Sequence, residues 1–153
     1  MDLILWRHAE AHDALPFDND MARTLTPKGQ RQADRMAAWI NQHLPEDATI
    51  WASPAERTQQ TAQTLGRKFK TSPEIAPGGG VAQLLSLAHW PQEKGCVLLV
   101  GHQPTLGQAI AQLLEMDAAQ CAVKKGALWW LRSRERTGHR QTVLLTVQSP
   151  ELL

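Results

Sequence analysis

Tyrosine is absent from the 153 residues, and phenylalanine and cysteine occur only twice each. The two cysteines, Cys96 and Cys121, are too few for a disulfide framework. Each stands beside apolar residues, so they read as buried thiols in a reducing cytoplasm. The lack of tyrosine beside six tryptophans carries no functional reading. Charge of one sign is also missing: the formal net charge is +1, which excludes the global basic character that nucleic acid or an anionic membrane would select. No apolar run is long enough for a membrane span. The opening run Leu3-Ile4-Leu5-Trp6 is too short for a signal segment and lacks a basic flank. There is no P-loop, no glycine-rich dinucleotide fingerprint and no paired-cysteine zinc pattern. Repeats and low-complexity tracts are absent too. What remains is the composition of one ordinary globular domain over residues 1–153, expected in the cytoplasm as a monomer or weak dimer.

Within that domain, strand-like and helix-like segments alternate. This predicts βαβ units, and hence a three-layer α/β/α sandwich with a mainly parallel sheet and an antiparallel edge. Residues 2–7 read as the first strand. Thr26-Pro27 supplies an N-cap followed by proline at the first helical position. Ala33, Met36, Ala37, Ile40 and Leu44 then recur at helical spacing until Pro45. Residues 48–52 form a second strand, and Ser53-Pro54-Ala55-Glu56 has the pattern of a capping box. The helix it opens carries Thr58, Ala62, Leu65 and Phe69 on one face. A short edge strand is expected between Pro73 and Pro77, a flexible loop at Gly78-Gly79-Gly80, and a short helix over 81–90. Residues 96–100 read as a fully buried strand, followed by a helix marked by Leu106, Ala109, Ile110, Leu113 and Leu114. Two antiparallel strands, 126–132 and 141–148, close the chain around a charged turn near Thr137-Gly138.

Three of these strands end in the same way. The first runs into Arg7-His8, the second into Ser53-Pro54-Ala55-Glu56-Arg57, and the buried one into Gly101-His102-Gln103-Pro104. In an open α/β sheet, ligands bind beyond the carboxyl ends of the strands. Two arginines and two histidines delivered there suit a phosphoryl group. A neutral imidazole at His8 is able to attack phosphorus, provided one ring nitrogen is free and the other is held. Arg57 stands in the first turn of its helix, where the helix dipole disfavours a cation unless an anion is bound. His102, as imidazolium, would donate to a phosphoryl oxygen. Arg23, in Arg23-Thr24-Leu25-Thr26, and Asp20 are further candidates for the pocket, with an ordinary surface pair as the alternative.

Two other patterns compete for a function. His8, Glu10 and His12 alternate, so with His102 they offer a metal site, but Arg7 and Arg57 would set positive charge beside the cation. The basic stretch Arg132, Arg134, Arg136, His139 and Arg140 reads as a solvated hairpin, with a docking surface for an acidic partner as the second reading.

Taken together, Arg7-His8, Ser53-Pro54 with Arg57, and Gly101-His102 resemble the histidine phosphatase superfamily, which includes the phosphoglycerate mutases. The short length is similar to that of the bacterial phosphohistidine phosphatases, and Asp20 to Thr26 resembles the loop before their first helix. The resemblance implies a metal-independent, cofactor-free hydrolase with His8 as nucleophile. Arg7, Arg57 and His102 would bind the phosphoryl group, joined by Arg23 and Asp20. The implied substrate is a phosphohistidine on a protein, such as a phosphotransfer domain; a small phosphate ester and non-catalytic phosphohistidine binding are the alternatives. Two departures stand out: Ala9 replaces the glycine usual after the nucleophile, and residues 76–80 offer no acid where many members carry a glutamate. That second departure favours a leaving group that needs little protonation, with Glu10, Asp20 or His12 as substitute donors.

Overall fold

A computed structural model describes residues 1–153. Its order of elements is β1 (Asp2–Arg7), α1 (Pro27–His43), β2 (Thr49–Ala52), α2 (Glu56–Gln63), β3 (Lys70–Thr71), α3 (Val81–Leu87), β4 (Cys96–Gly101), α4 (Thr105–Leu113), β5 (Leu128–Arg136) and β6 (His139–Gln148). The strands form one sheet in the order β3-β2-β4-β1-β5-β6. β1 to β4 are parallel, while β5 is antiparallel to β1 and to β6.

The period-two rule of a strand divides the core between the two faces of the sheet. Ile4 and Trp6 of β1, with Ile50, Ala52, Leu98 and Val100, pack against Met36, Ala37 and Ile40 of α1 and Ala62 of α2. Leu3 and Leu5, with Val97 and Leu99, pack against Leu84 of α3 and Leu106, Ala109 and Ile110 of α4. Helices therefore cover both faces, and the central strands read as unbroken apolar runs because they are buried on both sides. β4 is buried along its whole length, between β2 and β1.

Several local expectations change. Residues 73–75 form a turn of 3-10 helix, and the edge strand lies before it at Lys70–Thr71. Pro73 supplies no N–H for a ladder but suits the first position of a helical turn, where Ser72 caps it. The capping box at Ser53 does not form. The helix begins at Glu56 behind Ala55, with no side-chain cap, and it ends at Gln63, so Leu65 and Phe69 reach the core from beyond its end. α3 stops at Leu87. The last two strands extend further toward their turn than their apolar residues suggested. Thr137 and Gly138 both have positive φ (52° and 78°), the backbone of a two-residue hairpin turn, which glycine adopts without strain.

Two members of the basic stretch on that hairpin are paired with carboxylates. Arg132 forks onto Asp2 at 2.7 and 2.9 Å, and Arg140 reaches Ser133 and Glu135. No helix is long and apolar enough to cross a membrane.

Candidate active site

Because β2, β4 and β1 are neighbours, their carboxyl ends lie side by side, and the ladder carries the chain into the site. His8 N–H donates to the Gly101 carbonyl (3.2 Å), and Ser53 N–H to that of Val100 (3.1 Å). His8 and His102 thereby come to face each other, with ring centroids 5.3 Å apart. Both are buried, as is Arg57. The three distant segments do converge, and Arg7, at the end of β1, adds the second guanidinium.

His8 is held through one nitrogen. Its Nδ1 lies 2.7 Å from the Ala9 carbonyl oxygen. A carbonyl only accepts, so Nδ1 carries the proton and Nε2 keeps its lone pair. Burial, then the charges of Arg57, Arg7 and Arg23, push its pKa down to about 3, against a smaller upward pull from the bond to Ala9. The ring is therefore neutral across the physiological range. Ala9 fits where glycine was expected: its side chain is enclosed with Leu25 and Ala33 in a small apolar cluster.

His102 differs from the imidazolium expected from the sequence. Burial, then the neighbouring His8 and Arg57, push its pKa down to about 3 as well. Its Nε2 lies 2.7 Å from Ser53 Oγ, which already accepts the Ala55 N–H (3.2 Å). A hydroxyl has one proton to give, and His102 Nε2 is the acceptor within reach. The single proton of the neutral ring then sits on Nδ1, which leaves Nδ1–H as an uncharged donor. Ser53 is thus a partner of His102 rather than a helix cap. The Ser-Pro pattern hid this role, because the same hydroxyl satisfies either reading.

The arginines are fixed by backbone oxygens. Arg7 Nη1 donates to the Val123 carbonyl at 2.7 Å. Val123 is held by the segment that follows α4, where Cys121 N–H donates to the Gly107 carbonyl (2.9 Å). A Cβ on Gly107 would run into the Cys121 carbonyl oxygen, so only glycine allows this approach. Burial, then the charge of Arg57, lowers the pKa of Arg7, yet a guanidinium stays charged in any physiological range. Arg57 Nη1 donates to the Asp20 carbonyl (2.9 Å) and Nη2 to Asp20 Oδ2 (3.2 Å). Thr61, one turn on, joins α2 to β1: it donates to the Arg57 carbonyl (2.7 Å) and accepts the Ala9 N–H (3.2 Å). Three buried nitrogens have no partner: Arg7 Nε, Arg57 Nε and His102 Nδ1. Unpaired buried donors are costly, and all three belong to one cluster, which therefore has donor capacity to spare for an anion.

Asp20 and Arg23 come to the same place, bonded to each other. Arg23 Nη1 donates to Asp20 Oδ1 at 3.2 Å, so the Asp20 carboxylate spans Arg23 and Arg57. A carboxylate repels a phosphoryl oxygen, so its part is to position the two guanidinium groups. Partial burial works to raise its pKa, and the Arg23 hydrogen bond with the Arg57 charge more than offsets this.

Glu10 is drawn elsewhere. Its Oε2 accepts from Thr26 Oγ1 at 2.7 Å, the residue that caps α1 through Gly29 N–H (2.9 Å). That bond, against the opposing effect of desolvation and helped by Lys28 and Lys125, lowers its pKa. No three His, Cys, Asp or Glu side chains are arranged to hold a metal. Of the four residues read as a rival metal site, His8 and His102 meet, while Glu10 is engaged by Thr26.

Residues 3–78 match the family model of the histidine phosphatase superfamily, branch 1. A phosphohistidine phosphatase SixA homolog of Haemophilus influenzae is 29% identical over 128 residues, covering 74% of this chain and 77% of that one. Among solved structures, a protein assigned as phosphohistidine phosphatase SixA from Agrobacterium tumefaciens is 26% identical; it superposes with a TM-score of 0.81 over 97% of each chain. The structure of the protein histidine phosphatase SixA complexed with tungstate shares the fold, with a TM-score of 0.81 over 99% of each chain at 24% identity.

Proposed function

This chain belongs to the histidine phosphatase superfamily, and from that premise we propose that it hydrolyses phosphohistidine on another protein through a covalent intermediate on His8. The observation that carries the reading is the state of His8: buried, neutral, its Nδ1 tied to Ala9 and its Nε2 lone pair free among cationic and neutral donors. In the first step that lone pair attacks phosphorus, and the phosphorus–nitrogen bond of the substrate breaks. The departing imidazole nitrogen takes a proton from solvent. Arg7, Arg57 and the Nδ1–H of His102 stabilise the charge spread over the phosphoryl oxygens, the role of preorganised donors. In the second step water attacks the phosphoryl group on His8. Inorganic phosphate leaves and the neutral imidazole is restored.

The proton inventory supports phosphohistidine over an alkyl ester. An alkoxide leaving group needs an acid. Residues 76–80 contain no carboxyl, and the Asp20 carboxylate is taken up by Arg23 and Arg57. The test compares kcat/KM on histidine-phosphorylated proteins with that on phosphoserine and sugar phosphates, in wild type and His8→Ala. The expected result is strong preference for phosphohistidine and no turnover in His8→Ala. Turnover should survive exhaustive chelation. Equal rates on alkyl phosphates would make the protein a small-molecule phosphomonoesterase, and activity in His8→Ala would exclude the covalent step.

A further inference from the structure

The loop that brings Asp20 and Arg23 to Arg57 also carries the most exposed large apolar side chain in the protein. Phe17 is fully exposed (101%) and Leu15, two residues before it, is 69% exposed. The chain has only two phenylalanines; the other, Phe69, packs against the core. A lone exposed apolar residue needs no explanation, but these two are displayed by a built turn. Asp18 N–H donates to the Leu15 carbonyl and Leu15 N–H to Asp18 Oδ2, both at 2.9 Å. Pro16 presets the turn between them. The base of the loop is also fastened. Ala11 bridges Leu25, His12 N–H donates to Thr24 (2.9 Å), and Arg23 Nε donates to the His12 carbonyl at 2.6 Å. Arg23 thus fixes the loop's root with one nitrogen and Asp20 with another.

Only two residues, Asp18 and Asn19, separate Phe17 from Asp20, so its Cα lies within about 11 Å of that of Asp20 by chain length alone. The apolar tip therefore belongs to the same short loop as Asp20, and the carboxylates Asp13 and Asp18 flank it in the chain, lining with His12 and Arg23 the cavity beside it. Rigid aromatic anchors rimmed by polar groups dominate binding at protein interfaces. A small phosphate ester bound at Arg7 and Arg57 has no use for a hydrophobic contact at that distance, whereas a protein carrying phosphohistidine does.

We infer that Leu15 and Phe17 form a docking element for the protein substrate, received by an apolar patch bordered by basic residues beside its phosphohistidine. The inference rests on the reading that the substrate is a phosphohistidine protein. Its test uses the full chain as wild type, as the double variant Leu15→Ser with Phe17→Ser, and as Phe17→Trp. Substrates are phosphoimidazole, a helical phosphotransfer domain and a phosphocarrier protein, the last two phosphorylated on histidine with phosphoramidate. Both residues are exposed, so thermal stability should not change. The double variant should raise KM for the protein substrates about tenfold or more, with kcat within about twofold, and leave kcat/KM on phosphoimidazole within about twofold; loss at an interface anchor is of that order. Phe17→Trp, which keeps an aromatic ring, should retain most of the affinity. Unchanged kinetics on both protein substrates would overturn the docking role while leaving the phosphohistidine reading intact. Equal losses on phosphoimidazole and on proteins would make the loop a support for the pocket and also overturn it. A wild type that hydrolyses phosphoimidazole but neither protein would overturn both readings.

Discussion

Arg57 is a cation in the first turn of α2, where the helix dipole opposes it. It is nevertheless 4% exposed, and its guanidinium nitrogens reach Asp20. A side chain placed against local electrostatics and buried there is explained by what it binds. Arg57→Ala should lower kcat/KM by about two to three orders of magnitude, the scale for removing one preorganised donor. Arg57→Lys should recover little, because an ammonium lacks the planar fork. The two histidines give a second prediction at this scale. Burial holds both neutral, with pKa values pushed down to about 3, so their imidazole signals should show no titration by NMR between pH 7 and 5. Titration of either near 6.5 would contradict the geometry. A bound oxyanion acts in the opposite direction and should raise both values, since an opposite charge favours the protonated ring.

Among the elements, the strand ends matter more than the helices, yet the segment after α4 decides where Arg7 points. Cys121 and Val123 lie in no strand or helix. They are placed because Gly107 lets the chain approach α4 closely enough for Cys121 N–H to reach its carbonyl. Gly107→Ala should therefore do two things. Overpacking should cost about 1–3 kcal/mol in stability, read as a lower urea midpoint. The shift at Val123 should reduce turnover by more than the lost stability explains, because Arg7 loses its carbonyl anchor. Normal turnover in a folded Gly107→Ala variant would show that Arg7 does not need this support. The pattern of Gly101-His102 at the end of a buried strand was legible in the sequence. The partnership of Gly107 with Cys121 was not, since it joins residues fourteen apart across an irregular segment.

For the whole molecule, the site sets a pH dependence of stability. Unfolded, His8 and His102 take up protons near the ordinary value of about 6.5, while in the fold they do so only near 3. The unfolded chain thus binds more protons in between. Stability associated with the pair is intact above pH 6.5 and is lost progressively as pH falls toward 3. The melting temperature should drop between pH 6.5 and 4.5, before the carboxylates titrate. Tungstate or vanadate should restore part of the loss, because a ligand that binds only the folded state stabilises it. The rescue should disappear in Arg57→Ala. A melting temperature that stays flat over that range would show that the imidazoles remain accessible to protons in the native state.

Reading the sequence alone established the alternation of strands and helices, the apolar core positions and the four residues at the strand ends. These are local or periodic properties: strands alternate sides, buried runs are apolar, and a proline or cap marks a helix start. The same reading placed a strand at 73–77, where Pro73 and the Ser72 cap favour a helical turn, and a capping box at Ser53, whose hydroxyl is taken by the distant His102. The bond from Thr26 to Glu10 was not legible in it either, since it joins residues sixteen apart. The sheet order, which sets β4 between β2 and β1 and so brings His102 onto His8, was settled only by the tertiary structure. So were the neutral state of both rings, the carbonyl of Val123 behind Arg7, and Asp20 as a brace between two arginines. Each depends on burial or on a contact between residues far apart in the chain, and no local pattern encodes desolvation or distance.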